Sequence, residues 1–132
     1  MRRTIVLLLA GIVGLIAVAG PAGAADRRPE HRREHLRLRC AWVTDGEEQA
    51  VACRWSKSKH PQFAAYRLVR ADREHGRSVV FRTGDRAVTR FLDTTAEPGT
   101  KYAYRVVILD GDGDPIGGSH AVWVRPPRRA AA

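Results

Sequence analysis

The chain has 132 residues, which sets the expectation of a single domain. Twenty arginines and three lysines against 14 acidic residues give a formal charge of +9, which favours acidic over basic partners; the same arginine bias also arises from coding composition alone. No asparagine is present, so N-glycosylation sequons are excluded.

At the start, Arg2 and Arg3 precede an apolar run from Ile5 to Val18 that is interrupted only by Gly11 and Gly14. Gly20-Pro21 breaks the run and Ala22-Gly23-Ala24 supplies small residues, the pattern of a secretory signal peptide cleaved after Ala24. The run is shorter than the ~20 residues of a membrane span, so no stable membrane insertion is expected, and no cysteine follows it to carry a lipid. Met1-Arg2-Arg3-Thr4 is similar to a twin-arginine signal, but two arginines also make an ordinary n-region and are read as one. Losing Arg2 and Arg3 lowers the formal charge to +7. The two cysteines then belong to a secreted, extracellular protein, where a disulfide is expected.

Residues 25–35 are polar and charged and read as a basic N-terminal arm or a short frayed helix. Leu36, Leu38, Cys40 and Trp42 then alternate with Arg37, Arg39 and Ala41, the period of a half-buried strand. Asp45-Gly46-Glu47 turns the chain, and Val51, Cys53 and Trp55 alternate in a second strand. A hairpin centred on Gly46-Glu47 places Cys40 and Cys53 opposite each other on the inward parity, which predicts a Cys40–Cys53 disulfide. It closes a loop of about a dozen residues, worth roughly 3 kcal/mol in the chain-entropy model. Ser56 to Gln62 is a loop. Further strands are predicted through Tyr66 and Leu68, over Val79–Arg82, over Ala87–Leu92 and over Tyr102–Leu109. After an Asp110–Pro115 loop a last strand is predicted over Ser119–Arg125, with Val122 and Val124 inward, and Pro126-Pro127 ends it. Residues 127–132 are expected to be a disordered tail.

The order Pro98-Gly99-Thr100-x-Tyr102-x-Tyr104-x-Val106 resembles the E–F corner of a fibronectin type III domain. Trp55 on the second strand and Tyr66-x-Leu68-x-Arg70 on the third add to the resemblance, which covers residues 36–126. It implies an all-β, immunoglobulin-like β-sandwich of seven strands, lettered A, B, C, C′, E, F and G. It also implies a buried Trp55 and a Tyr102 hydroxyl bonded back to upstream backbone. Most domains of that family lack a disulfide. Cys40, twelve residues, then Cys53-Arg54-Trp55 resembles the first cysteine pair of class I cytokine receptors. The second pair and the Trp-Ser-x-Trp-Ser motif of that family are absent, so the similarity is read as convergent stapling of strands A and B.

Candidate chemistry is sparse. His31-Arg32-Arg33-Glu34-His35 matches H-x-x-E-H, and on a helix both imidazoles would share a face. A catalytic zinc needs a third ligand, a second shell and a cleft, which an arm does not supply. Asp110, Asp112 and Asp114 imitate a calcium loop, but Pro115 stands where glycine is required and Ala121 where the bidentate glutamate belongs. No serine lies in G-x-S-x-G, and a disulfide would consume both thiols. The chain is therefore read as non-enzymatic, with no metal and no cofactor.

The inward parity of Tyr66, Leu68, Tyr104, Val106, Val122 and Val124 sends Arg67, Val69, Arg105, Val107, Trp123 and Arg125 to the outer face of the C–F–G sheet. That set reads either as a surface ladder with an arginine stacked on Trp123 or as a ligand face, since Trp and Arg concentrate at interface hot spots. The resemblance implies a binding or adhesion module contacting an extracellular protein or a polysaccharide through this face. The alternative is a cell-surface structural protein whose arginine-rich ends, Arg27, Arg28, Arg32 and Arg33 with Arg125, Arg128 and Arg129, hold an acidic envelope polymer. Nucleic acid is disfavoured by export and by the lack of a recognition motif, and a monomer is expected.

Overall fold

Two β-sheets face each other across one apolar core in the computed structural model, which describes residues 32–126. The signal peptide expected over 1–24, most of the basic arm and the tail at 127–132 lie outside the described residues. The strands are β1 Glu34–His35, β2 Leu38–Asp45, β3 Glu48–Trp55, β4 Ala65–Asp72, β5 Gly76–Thr83, β6 Arg90–Asp93, β7 Tyr102–Leu109, β8 Pro115–Gly118 and β9 Val122–Val124. One sheet runs β1-β8-β7-β4-β5, with β9 also paired to β7; the other runs β2-β3-β6.

The alternation read from the sequence is what builds the core. Leu38, Val51, Cys53 and Trp55 from the small sheet meet Tyr66, Leu68, Tyr104, Val106 and Ile108 from the large one, all buried. Trp55 sits edge-on to Tyr66 at 5.6 Å between ring centroids. The Tyr66 hydroxyl is satisfied inside the protein: it accepts from the Ser58 N–H and donates to the Arg86 carbonyl, tying two loops to one ring. Cys40 and Cys53 face each other in the β2–β3 register, 4.1 Å apart at Cα, and are disulfide-bonded as expected. The turn between those strands needs a left-handed residue, and Gly46 supplies it at φ +66°.

Several elements differ from expectation. The strand expected over Ala87–Leu92 is confined to Arg90–Asp93, because the Asp85 carboxylate accepts from the Ala87 N–H and folds the preceding residues into a turn. β5 starts at Gly76 rather than Val79, and it carries an extra residue, Val80, opposite the Leu68–Val69 step. The last strand is two pieces, β8 and β9, and its first piece already begins at Pro115. Between them Ser119 turns inward: its hydroxyl accepts from the Val106 N–H and donates to the His120 carbonyl, so side chain replaces backbone in the ladder. Gly117 and Gly118 allow this crowded edge, since a Cβ at either would run into Glu34 or Val106 backbone.

The structure also contradicts the frayed helix considered for the end of the arm. Glu34 and His35 pair in parallel with Gly117 and Gly118. The Glu34 carboxylate explains the docking: it accepts from the Ser58 hydroxyl, from the Lys59 N–H at 2.7 Å and from the His60 N–H at 3.1 Å. Burial opposes its ionisation, but those bonds outweigh it and hold the carboxyl below the usual carboxylate range. Glu34 and His35 therefore lack the helical spacing that the H-x-x-E-H reading requires, and His31 lies outside the described residues.

Candidate functional site

The outer face of the large sheet carries the residues singled out above, in rows set by strand register. Trp123 on β9 faces Ala103 on β7, which faces Ala71 on β4, which faces Arg77 on β5. The next row runs Arg105, Val69, Val79, and the one after it Val107, Arg67, Arg82. The two alanines keep the floor low between the indole and Arg77. The result is an open groove of about 660 Å³, lined by Arg67, Arg77, Arg105, His120 and Trp123 with apolar side chains between and no carboxylate.

Trp123 is 58% exposed, as its parity predicts. The cation over its ring is Lys101, with Nζ 4.6 Å from the centroid, and not the arginine expected there. Lys101 immediately precedes β7 while Trp123 lies opposite Ala103, so the ammonium reaches the indole diagonally across the pair. Arg105 is held in place by its Nε–H, which donates to the Ser119 carbonyl at 3.1 Å. Val107 points outward but is buried, in a small second cluster with Ala65 and Leu109, so it forms part of the groove's floor and not of its rim. Val69 is half-buried beside it. Arg125 lies past the end of β9, exposed and outside the lining of the groove. The structure thus brings Arg67, Val69, Arg105, Val107 and Trp123 together and leaves Arg125 apart.

At the E–F corner the Glu97 N–H donates to the Tyr102 hydroxyl at 2.8 Å, which is the upstream bond that the sequence implies. No protein-family model and no curated protein matches the chain. Among solved structures it is similar to the third fibronectin III domain of the human KIAA0343 protein. Identity is 14%, 85% of this chain and 97% of that chain are covered, and the TM-score is 0.57. It is also similar to the sixth fibronectin type III domain of human fibronectin type III domain containing protein 3, at 17% identity over 76% of this chain and 92% of that one, with a TM-score of 0.53. The fold is that of a fibronectin type III domain. Part of pectate lyase PelI from Erwinia chrysanthemi is similar too, at 18% identity and TM-score 0.54 over 71% of this chain. The match spans 28% of the lyase's length.

In this fibronectin type III-like domain, β2, β3 and β6 stand for A, B and E, and β4, β5, β7 and β8–β9 for C, C′, F and G. Arg77 and Val79 line the groove and Lys101 covers the Trp123 ring beside it; none of the three was assigned to this face from the sequence. Alternation back from Val79 through Arg77 was available as a signal, but the extra residue Val80 breaks the period of that strand. The cluster of Asp110, Asp112 and Asp114, whose ligand atoms lie within 4.8 Å of one another, serves the turn: Asp110 Oδ1 accepts from the N–H groups of Asp112 and Asp114. No helix among the described residues is long and apolar enough to cross a membrane. The disulfide suits an oxidising compartment.

Proposed function

We propose that the protein is a non-catalytic, secreted binding module that contacts an extracellular glycan or protein through the outer face of its β4–β7–β9 surface. The observation that carries this reading is Trp123, more than half exposed at one end of a groove whose charged lining is wholly cationic. An exposed indole offers a flat apolar face to a sugar ring or an apolar side chain. Arg67, Arg77 and Arg105 beside it supply donors in fixed planes that suit hydroxyl and carboxylate oxygens. The groove has a rigid backbone floor, since β4 and β7 pair along the whole of the Ala65–Ala71 stretch. That limits the entropy a ligand must overcome on binding.

The test is a pull-down of the mature protein on insoluble polysaccharides and envelope fractions, with Trp123→Ala beside wild type, at low and high salt. A hot-spot tryptophan contributes about 2 kcal/mol or more, so the variant should bind at least about tenfold more weakly. Retention of Trp123→Ala equal to wild type on every fraction that captures the protein would refute the reading. Binding that salt abolishes and Trp123→Ala leaves intact would transfer the function to the arginine-rich ends.

A further inference from the structure

The opposite face of the sandwich holds a second cationic feature, one that no single stretch of sequence displays. In the small sheet Arg39 on β2 faces Arg54 on β3, and Arg54 in turn faces Arg90 on β6. Three exposed guanidinium side chains therefore stand in one straight row across adjacent strands, about 4.8 Å apart at the backbone. Like charges directly opposite in a sheet destabilise it. Among the described residues the only arginine or lysine paired with a carboxylate is Arg70, on Asp93, so no carboxylate relieves this row. The neighbouring row, Ala41, Ala52 and Leu92, is small and apolar. The two rows line a groove of about 830 Å³ that also reaches the disulfide, Phe91 and, on the other sheet, Val122; its charged lining is Arg39, Arg54 and Arg90.

We infer that this face binds a carboxylated polysaccharide, an extended chain that runs across the three strands with one carboxylate on each sugar. A guanidinium meets a carboxylate through two parallel N–H···O bonds. Strand spacing presents one such fork per step of a length comparable with one sugar ring. The Ala41–Ala52–Leu92 strip lies where the apolar faces of the rings would rest. A bound polyanion would also remove the repulsion that the unoccupied row carries. This site is independent of the Trp123 groove and lies on the other sheet.

The probe is alginate, with its esterified, neutral form as the control, in affinity electrophoresis of the full mature protein. Arg39→Ser/Arg54→Ser/Arg90→Ser should lose binding by tenfold or more. Lys57→Ser/Lys59→Ser/Arg73→Ser, which removes the same charge from exposed loop positions, should retain it. Wild type should ignore the esterified polymer. Folding of the triple variant is verified by its thermal midpoint, which should rise by about 3 °C or more as the like-charge row is dismantled. Greater stability with lost binding separates a ligand site from a structural role. Equal losses in the two triple variants, or unchanged binding by the row variant, would overturn the inference. So would row-dependent binding of double-stranded DNA that matches or exceeds that of alginate.

Discussion

Asp93→Ala is expected to destabilise the domain by about 3–5 kcal/mol, read as a lowered urea midpoint with the disulfide intact. Asp93 ends β6 on the small sheet and is 1% exposed, yet it is charged. Its ionisation rests on four donors. Arg70 Nη1 from the large sheet reaches Oδ2 at 3.0 Å, and the Tyr104 hydroxyl donates to the same oxygen at 2.7 Å. The Thr95 hydroxyl and N–H both donate to Oδ1. Arg70 also stands over the Tyr102 ring, 4.8 Å from its centroid. Removing the carboxylate takes the counter-charge from the half-buried Arg70 guanidinium, which keeps only its bond to the Thr95 hydroxyl, and leaves the Tyr104 hydroxyl without its acceptor. Tyr104→Phe, which removes one bond and no charge, should cost only about 1–2 kcal/mol. A variant Asp93→Ala that unfolds at the wild-type midpoint would show that the network contributes little.

The same carboxylate fixes the acid limb of stability. Burial by itself would raise the Asp93 pKa, but the bonds from Thr95, Tyr104 and Arg70 outweigh it and hold the group below its ordinary value. The folded pKa is therefore depressed relative to the unfolded one, near 3.9. The stabilisation is fully present above that unfolded value and is lost as pH falls through the folded pKa. Glu34, also depressed by its loop donors, acts in the same direction. The urea midpoint of wild type should fall steeply below about pH 4, and that of Asp93→Asn should fall less. Parallel curves for the two proteins would remove Asp93 from the explanation. Tyr104 is pushed far above the ordinary phenol range, by burial first and then by its bond to Asp93, so it is a neutral donor across the acid limb.

The second large effect is that of the disulfide. Cys40→Ala/Cys53→Ala should lower stability by about 2–5 kcal/mol, and reduction of wild type should do the same. Both sulfurs lie in the β2–β3 hairpin, so what is lost is a restraint on a local loop of 13 residues' separation together with core contacts beneath the small sheet. The double variant should keep the β3–β6 pairing and a native-like circular dichroism spectrum at low temperature while melting earlier. A thermal midpoint unchanged from wild type would show that the hairpin's own pairing suffices without the bond.

Much of the architecture was readable because it is local. Alternation over Leu38–Trp42, Val51–Trp55 and Tyr102–Ile108 reports the pleat of a single strand, and the pleat alone decides which side chains point inward. The Cys40–Cys53 pairing followed from one turn and two parities, and the exposure of Trp123 from one parity. The bond from Glu97 to Tyr102 lies within a corner of a few residues. Even Glu34, placed in the arm, carries a signal in retrospect, since it precedes the first core residue, Leu36, by two positions.

What the tertiary structure alone decided is which segments meet. Arg70 lies on the inward parity of β4 with Tyr66 and Leu68, so alternation announces a half-buried guanidinium, but its acid is 23 residues away on the other sheet. Val107 and Trp123 share the outward parity, yet one is buried with Ala65 and Leu109 and the other is open, because neighbouring strands shield one position and not the other. The row of Arg39, Arg54 and Arg90 likewise needs three strands brought side by side. Residue pattern sets the direction of each side chain through backbone geometry. The neighbour it finds is set by the pairing of distant strands, whose free energy comes from burying the whole core at once and is written in no single segment.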